Sequence, residues 1–518
     1  MSTHKFILRS SATVSLGTLS SRILGFIRDM VFARIFGVYA LAQAFVIAFK
    51  IPNLLRDFLG EGAANAAIVP VFTEYKTKHT QEEFWELANI VLNLLLVAVS
   101  AVTILGIIFA PIIVRLIAPG FTVLPEKLEV TIRLSRIIFP YILLISLAAY
   151  VAGLLNTLKH FSVPSFAPCL LNISIIIFAM LFGENITGLA TGVLVGGLLQ
   201  LLIQIPVLYK KGFKLKLFRR FKHPEAKTIG ILMIPRLFST GIYQLNNFVD
   251  SIFGSLSFIV GEGGIAILYF AYRLIQFPIG IFSNALSQVV LPSFSTQALE
   301  EDRGKLKNTL SFSLRAIIFV MLPASIGFMV LGRTIIRALF EGGKFDVHST
   351  ILTSEVLFFY SIGLFAYGAN KILNSCFFSL KDTKTPAKIS LFALICNIAL
   401  NSILMFPMKL NGLALATSIS GITTCLLQIF ILKNRIGDFH LKEIGVSFSR
   451  ILCASLAMGM MCHFLMQNIY IGNSFISKAS SLILLLLGGV ASYVIFCFIF
   501  GVKEIRDLWG WLAQRAKS

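Results

Sequence analysis

The chain has 518 residues, of which 57% are hydrophobic and 13% charged, with a mean hydropathy of +0.85. Those values exclude an ordinary soluble protein and describe an all-α polytopic membrane protein. The formal net charge of +21 would suggest nucleic acid in a soluble chain. Here the Lys and Arg residues fall mostly in short loops between apolar runs, as membrane topology requires, so no nucleic-acid partner is expected.

A hydrocarbon core about 30 Å thick takes roughly 20 helical residues to cross. Runs of that kind fall at approximately 10–37, 40–73, 84–118, 131–156, 163–183 and 186–209. After a basic loop they resume at approximately 228–260, 264–297, 309–340, 350–379, 386–408 and 411–433, and two more follow at 446–467 and 476–501. About fourteen transmembrane helices are expected. Arg22 and Arg28 interrupt the first run and no small-x-small cleavage site precedes Arg22, so it reads as a retained helix rather than a signal peptide.

Loop charges give an independent test of topology. One alternate set of loops holds Lys76, Lys78, Lys159, the basic run from Lys210 to Lys222, Arg303, Lys305, Lys381, Lys384, Lys433 and Arg435. The other set holds little beyond Lys127, Arg133, Lys344 and Lys409. The asymmetry places both termini in the cytoplasm and makes the helix number even.

The two halves repeat at a shift of about 222 residues. Val69-Pro70-Val71-Phe72 falls opposite Leu291-Pro292-Ser293-Phe294, Arg115 opposite Arg337, and Lys159 with Pro164 opposite Lys381 with Pro386. Six helices per half make the two halves enter the membrane in the same sense, which predicts parallel lobes around a central cavity. The expected organisation is a lobe at 1–209, a basic cytoplasmic linker at 210–227, a second lobe at 228–433, helices thirteen and fourteen within 434–501, and an amphipathic tail at 502–518. Pro52 and Pro278, in equivalent second helices beside charged positions, are the candidate hinges.

Charges at membrane depth carry the chemistry. Arg22, Arg28, Asp29 and Arg56 lie in the first two apolar runs, and Arg273 lies in the second run of the other half. A charge at mid-membrane costs about 2.5 to 3.5 kcal/mol, which is tolerable in a wet cavity but not against lipid. Guanidinium groups offer bidentate donors to phosphate, so a cavity biased this way should hold an anion. Asp250, an isolated intramembrane acid, is a candidate for a coupling ion, and Asn397, Asn401 and Thr417 could complete an oxygen cage. The other reading of that trio is hydrogen bonding between helices.

The seven cysteines lie in or beside apolar segments without CxxC spacing and read as small packing residues. No Walker motif, dinucleotide fingerprint or Ser-His-Asp set is present, so no enzyme is expected and transport or scaffolding remains.

The stretches SSRILGFIRDMVFARIFG, AFKIPNLLRDFLGEGAANAAIVPVF, FPYILLISLAAYVAGLLNTLKHFSVPSFAP and YRLIQFPIGIF closely resemble the MurJ family of bacterial lipid II flippases, within the multidrug/oligosaccharidyl-lipid/polysaccharide exporter superfamily. The resemblance covers nearly the whole chain. It implies two six-helix lobes and a final helix pair lining a groove for an undecaprenyl tail. It further implies movement of lipid II from the inner to the outer leaflet of the cytoplasmic membrane by alternating access. The substrate-binding residues it implies are Arg22, Arg28, Asp29, Arg56 and Arg273. In some members sodium is held by residues matching Asp250, Asn397, Asn401 and Thr417, so sodium is the candidate coupling ion and no other cofactor is expected. Gln43 and Tyr272 stand where the family often has acids, and Asn401 where an Asp would add charge. Membrane lipids and cell-wall synthases are the expected partners of a monomer.

Beside this reading stand an exporter of another polyprenyl-linked oligosaccharide and a drug/cation antiporter of the same superfamily. A non-transporting cell-wall scaffold would leave the buried arginines unexplained.

Overall fold

In hydrocarbon a chain must satisfy its backbone hydrogen bonds internally, and a helix does so within one segment. The structure, a computed structural model, describes residues 3–56, 65–217, 222–231, 248–468, 472 and 474–505, with the side chains of 3–11, 54–56, 65–67 and 475 outside that set. Among the described residues it is helical, with one isolated β-bridge between Gly342 and Phe345. Nine of these helices are long and apolar enough to cross a membrane, or ten if a pair bent by 43° counts as one span. The expected runs 40–73 and 228–260 pass through residues outside the described set.

The chain gathers into two compact units, Met1–Phe258 with Gly342–Phe345, and Ile259–Glu341 with Asp346–Ser518. The first contains α1 (Thr3–Phe36), α2 (Ala40–Arg56), α3 (Asn65–Lys78), α4 (Gln81–Ile117), α5 (Pro125–Ile138), α6 (Tyr141–Thr157), α7 (Ser162–Phe182) and α8 (Ile186–Leu202). Helix α1 lies along α7. The approach is close enough that a Cβ on Gly17 would sit 2.7 Å from the Ser165 Cβ, so only glycine permits it.

Helix α4 starts at a capping box: Glu83 N donates to Thr80 Oγ1 (3.3 Å) and Thr80 N donates to Glu83 Oε2 (2.9 Å). The bond from the Thr80 backbone leads the effects that hold the Glu83 carboxyl below its ordinary range. Further along, Asn89 fastens the start of the basic linker to α4, donating to Lys214 O (3.0 Å) and accepting from Lys216 N (2.7 Å). Beneath these contacts Phe72, Phe84, Trp85 and Tyr150 form an apolar cluster.

The second unit contains α9 (Gly264–Pro278), α10 (Asn284–Gln297), α11 (Gly304–Leu339), α12 (Val347–Ile362), α13 (Leu364–Ser379), α14 (Lys384–Ile436), α15 (Leu441–Asn468) and α16 (Phe475–Ile499). A π-helical turn, Ile279–Ser283, joins α9 to α10 directly after Pro278. Pro52 lies inside α2, and the stretch 57–64 after that helix is outside the described residues.

Helix α14 holds two of the expected spans. Fifty-three residues in one straight helix would reach roughly 80 Å, yet Ser420 Oγ donates to Ala393 O (2.8 Å), and Asp382, just before α14, pairs with Arg435 near its end. Those contacts require a hairpin, and the bend is at Lys409, with φ 51° and ψ −129°. Burial pushes the Asp382 carboxyl up, but bonds from Thr385 and Arg435 outweigh it and hold the group below its ordinary value.

One turn recurs in the backbone of each unit at the shift read from sequence. Lys159 and Lys381 both adopt left-handed φ, 60° and 57°. In the first unit His160 N donates to Leu155 O (2.8 Å) and Lys159 N to Asn156 O (3.0 Å). In the second, Asp382 N donates to Phe377 O (3.0 Å) and Lys381 N to Phe378 O (3.0 Å). Each of these four pairs is matched at the same shift of 222, in a Schellman-type helix end. The turn between α7 and α8 has Gly183 at φ 54° and ψ −123°, nearly the conformation of Lys409.

Candidate functional site

Seven residues separate Arg22 from Asp29, two helical turns, so both lie on one face of α1 with Arg28 beside it. Arg22 is exposed, whereas the Arg28 and Asp29 side chains are 13% and 2% exposed. Two guanidinium nitrogens of Arg28, Nε and Nη2, donate to Asp29 Oδ1 at 3.0 and 2.7 Å. The third, Nη1, donates to Asn172 Oδ1 on α7 at 3.2 Å. Asn172 is itself fixed, its Nδ2 donating to Ser21 O at 3.1 Å. The Arg28 Cζ also lies 6.0 Å from the ring centre of Phe49 on α2. The close packing of α1 on α7 therefore sets the direction in which the guanidinium points.

Asn172 is the site residue that sequence reasoning missed. It stands 144 residues from Arg28, and one amide in an apolar helix gives no signal by itself. Arg56 ends α2, and its side chain lies outside the described residues. Arg273 belongs to the second unit, on α9, next to Tyr272, whose ring is 5.5 Å from that of Tyr360. Gln43 is buried.

The ion-site candidates also divide between units. In the first, the Asp250 charge acts on Lys50 of α2, and Lys50 hydrogen-bonds Ser251. Asp250 was legible as a membrane charge, but its proximity to Lys50 was not. In the second unit Asn401 Nδ2 donates to Asn397 Oδ1 (3.0 Å) and Asn397 Nδ2 to Thr417 Oγ1 (3.3 Å). Both asparagines are buried, and Asn401 Oδ1 accepts no hydrogen bond. An orphaned neutral oxygen of this kind suits a hard cation. Among the described residues no group of three or more His, Cys, Asp or Glu could hold a metal.

The chain matches the sequence profile of the family described as "Lipid II flippase MurJ" over residues 32–486. It belongs to the MurJ family. A "Probable lipid II flippase MurJ" of Buchnera aphidicola subsp. Acyrthosiphon pisum is 36% identical over 97% of this chain and 98% of its own length. The Vibrio cholerae protein of the same description is 33% identical over 97% and 98%. Among solved structures, "Lipid II flippase MurJ, inward closed conformation" superimposes with a TM-score of 0.78 at 31% identity, covering 96% of this chain and 99% of that one. An inward-facing MATE family transporter of the MOP superfamily is 16% identical, covers 81% of this chain and 95% of its own, and has a TM-score of 0.66, a likeness of fold. The MurJ-family chain is thus an all-α, multi-pass membrane protein, and the shared fold covers 96% of its length.

Proposed function

We propose that this chain is a lipid II flippase, a transporter rather than an enzyme, which moves undecaprenyl-diphosphate-linked peptidoglycan precursor from the inner to the outer leaflet of the cytoplasmic membrane. The observation that carries this reading is the family match over 32–486, joined to a shared fold over 96% of the chain at 31% identity. The inward closed state named for that relative fits alternating access.

In this reading Arg22, Arg28, Arg56 and Arg273 bind the diphosphate, and Asp29 orients Arg28. Lobes 1–209 and 228–433 move about hinges at Pro52 and Pro278, and the pair within 434–501 receives the lipid tail. Both termini are cytoplasmic, and the protein works as a monomer that supplies cell-wall synthases. An inside-negative potential favours outward movement of an anion by about 2.3 kcal/mol per charge per 100 mV. Sodium is our proposed coupling ion, supported by the uncommitted Asn401 Oδ1.

Proteoliposomes loaded with fluorescent lipid II test both parts. Arg28→Ala should abolish translocation while the protein still inserts at normal levels, and cells depleted of their own flippase should not grow on it. Replacing sodium with choline should slow the wild type. Full activity of Arg28→Ala would overturn the arginine assignment, and an unchanged rate in choline would remove sodium alone.

A further inference from the structure

The second unit has a cavity of about 250 Å³ where the first turns of α15 and residues 503 and 504, beyond α16, meet Arg315 of α11. Arg315, Lys442, Arg450 and Lys503 line it, against two carboxylates, Glu443 and Glu504. Glu504 is already engaged: Ser447 Oγ donates to it at 2.8 Å and Arg315 Nη1 lies 3.5 Å away. Glu443 stands 3.7 Å from His440. Among the described residues no carboxylate lies within ion-pair reach of Lys442, Arg450 or Lys503. Arg450 is fixed at the cavity by donating from Nη1 to Gly501 O at 2.8 Å. The cavity is therefore a pre-set positive pocket.

Its neighbours identify the occupant. Phe312, one turn before Arg315, is 53% exposed, and Ile499 and Phe500, just before Gly501, are 66% and 40% exposed. Apolar surface of that kind on membrane-spanning helices faces acyl chains. A soluble anion would gain nothing from it, whereas a lipid would use both the cations and the apolar surround. Basic pockets between transmembrane helices at the cytoplasmic face bind anionic headgroups in this manner. We propose that this pocket binds the phosphate of an anionic phospholipid, with its acyl chains lying against α11 and α16. The site uses none of the substrate arginines and stands whether or not the chain flips lipid II.

Native mass spectrometry of the full-length protein, titrated with phosphatidylglycerol and with phosphatidylethanolamine, tests the proposal. The wild type should retain phosphatidylglycerol preferentially. The exposed Lys442→Gln and Lys503→Gln substitutions should each reduce that preference roughly fivefold, the attraction expected per cation near an anionic surface. Equal retention of the two lipids by the wild type would overturn the proposal without recourse to any variant. So would an unchanged preference in the double variant, or displacement of bound phosphatidylglycerol by inorganic phosphate, which would mark a soluble-anion site.

Discussion

Arg28 is the residue at which charge, burial and helix packing meet. An uncompensated buried charge costs about 3 to 5 kcal/mol, and Asp29 and Asn172 offset that cost while fixing the guanidinium in one direction. Sequence made the charged pair legible, because ionisable residues in an apolar run stand out. It did not reveal Asn172, which only the packing of α1 on α7 brings into range. A hydrogen bond to a charged group contributes about 1.5 to 3 kcal/mol. Asn172→Leu should therefore raise the half-saturating concentration of lipid II about tenfold, with the maximal rate less affected, as measured in proteoliposomes. A purely structural role would instead lower the amount of folded protein and leave that concentration unchanged.

At the level of elements, the hairpin of α14 shows how far apolar patterning reaches. The break between spans ending near 408 and restarting near 411 was legible from the apolar runs, but its backbone form was not. Lys409 occupies a conformation that glycine accepts far more readily, and the corresponding turn between α7 and α8 has Gly183 there. Strain of this type costs of order 1 to 3 kcal/mol. Lys409→Gly should raise or leave unchanged the melting temperature in detergent, and a clear fall would show that the lysine side chain contributes more than its backbone costs. The π-helical turn after Pro278 had no comparable signal, since proline marks a break without specifying its geometry.

For the whole molecule, the repeat was the strongest long-range statement available from sequence. A near-constant shift of about 222 residues survives where individual matches between apolar helices mean little, and the paired turns at Lys159 and Lys381 reproduce it in hydrogen bonds. The alternation of basic loops likewise predicts an orientation. In a background without the seven native cysteines, Lys344→Cys should react with an impermeant maleimide applied to intact cells, and Lys305→Cys should react only after lysis. The reverse pattern would invert the topology. The proposed sharing of one ligand by arginines from both halves rests on the family resemblance, because loop charges set orientation but not which side chains converge.

The matched turns also show what a duplicated chain keeps and what it is free to change. His160 and Asp382 donate the same main-chain bond, yet only Asp382 ties its helix hairpin shut through Arg435. Ancestry is thus retained in the course of the main chain, while each half has acquired its own side-chain fastenings. Exchanging the two turns would preserve the path of the polypeptide and lose the clasp.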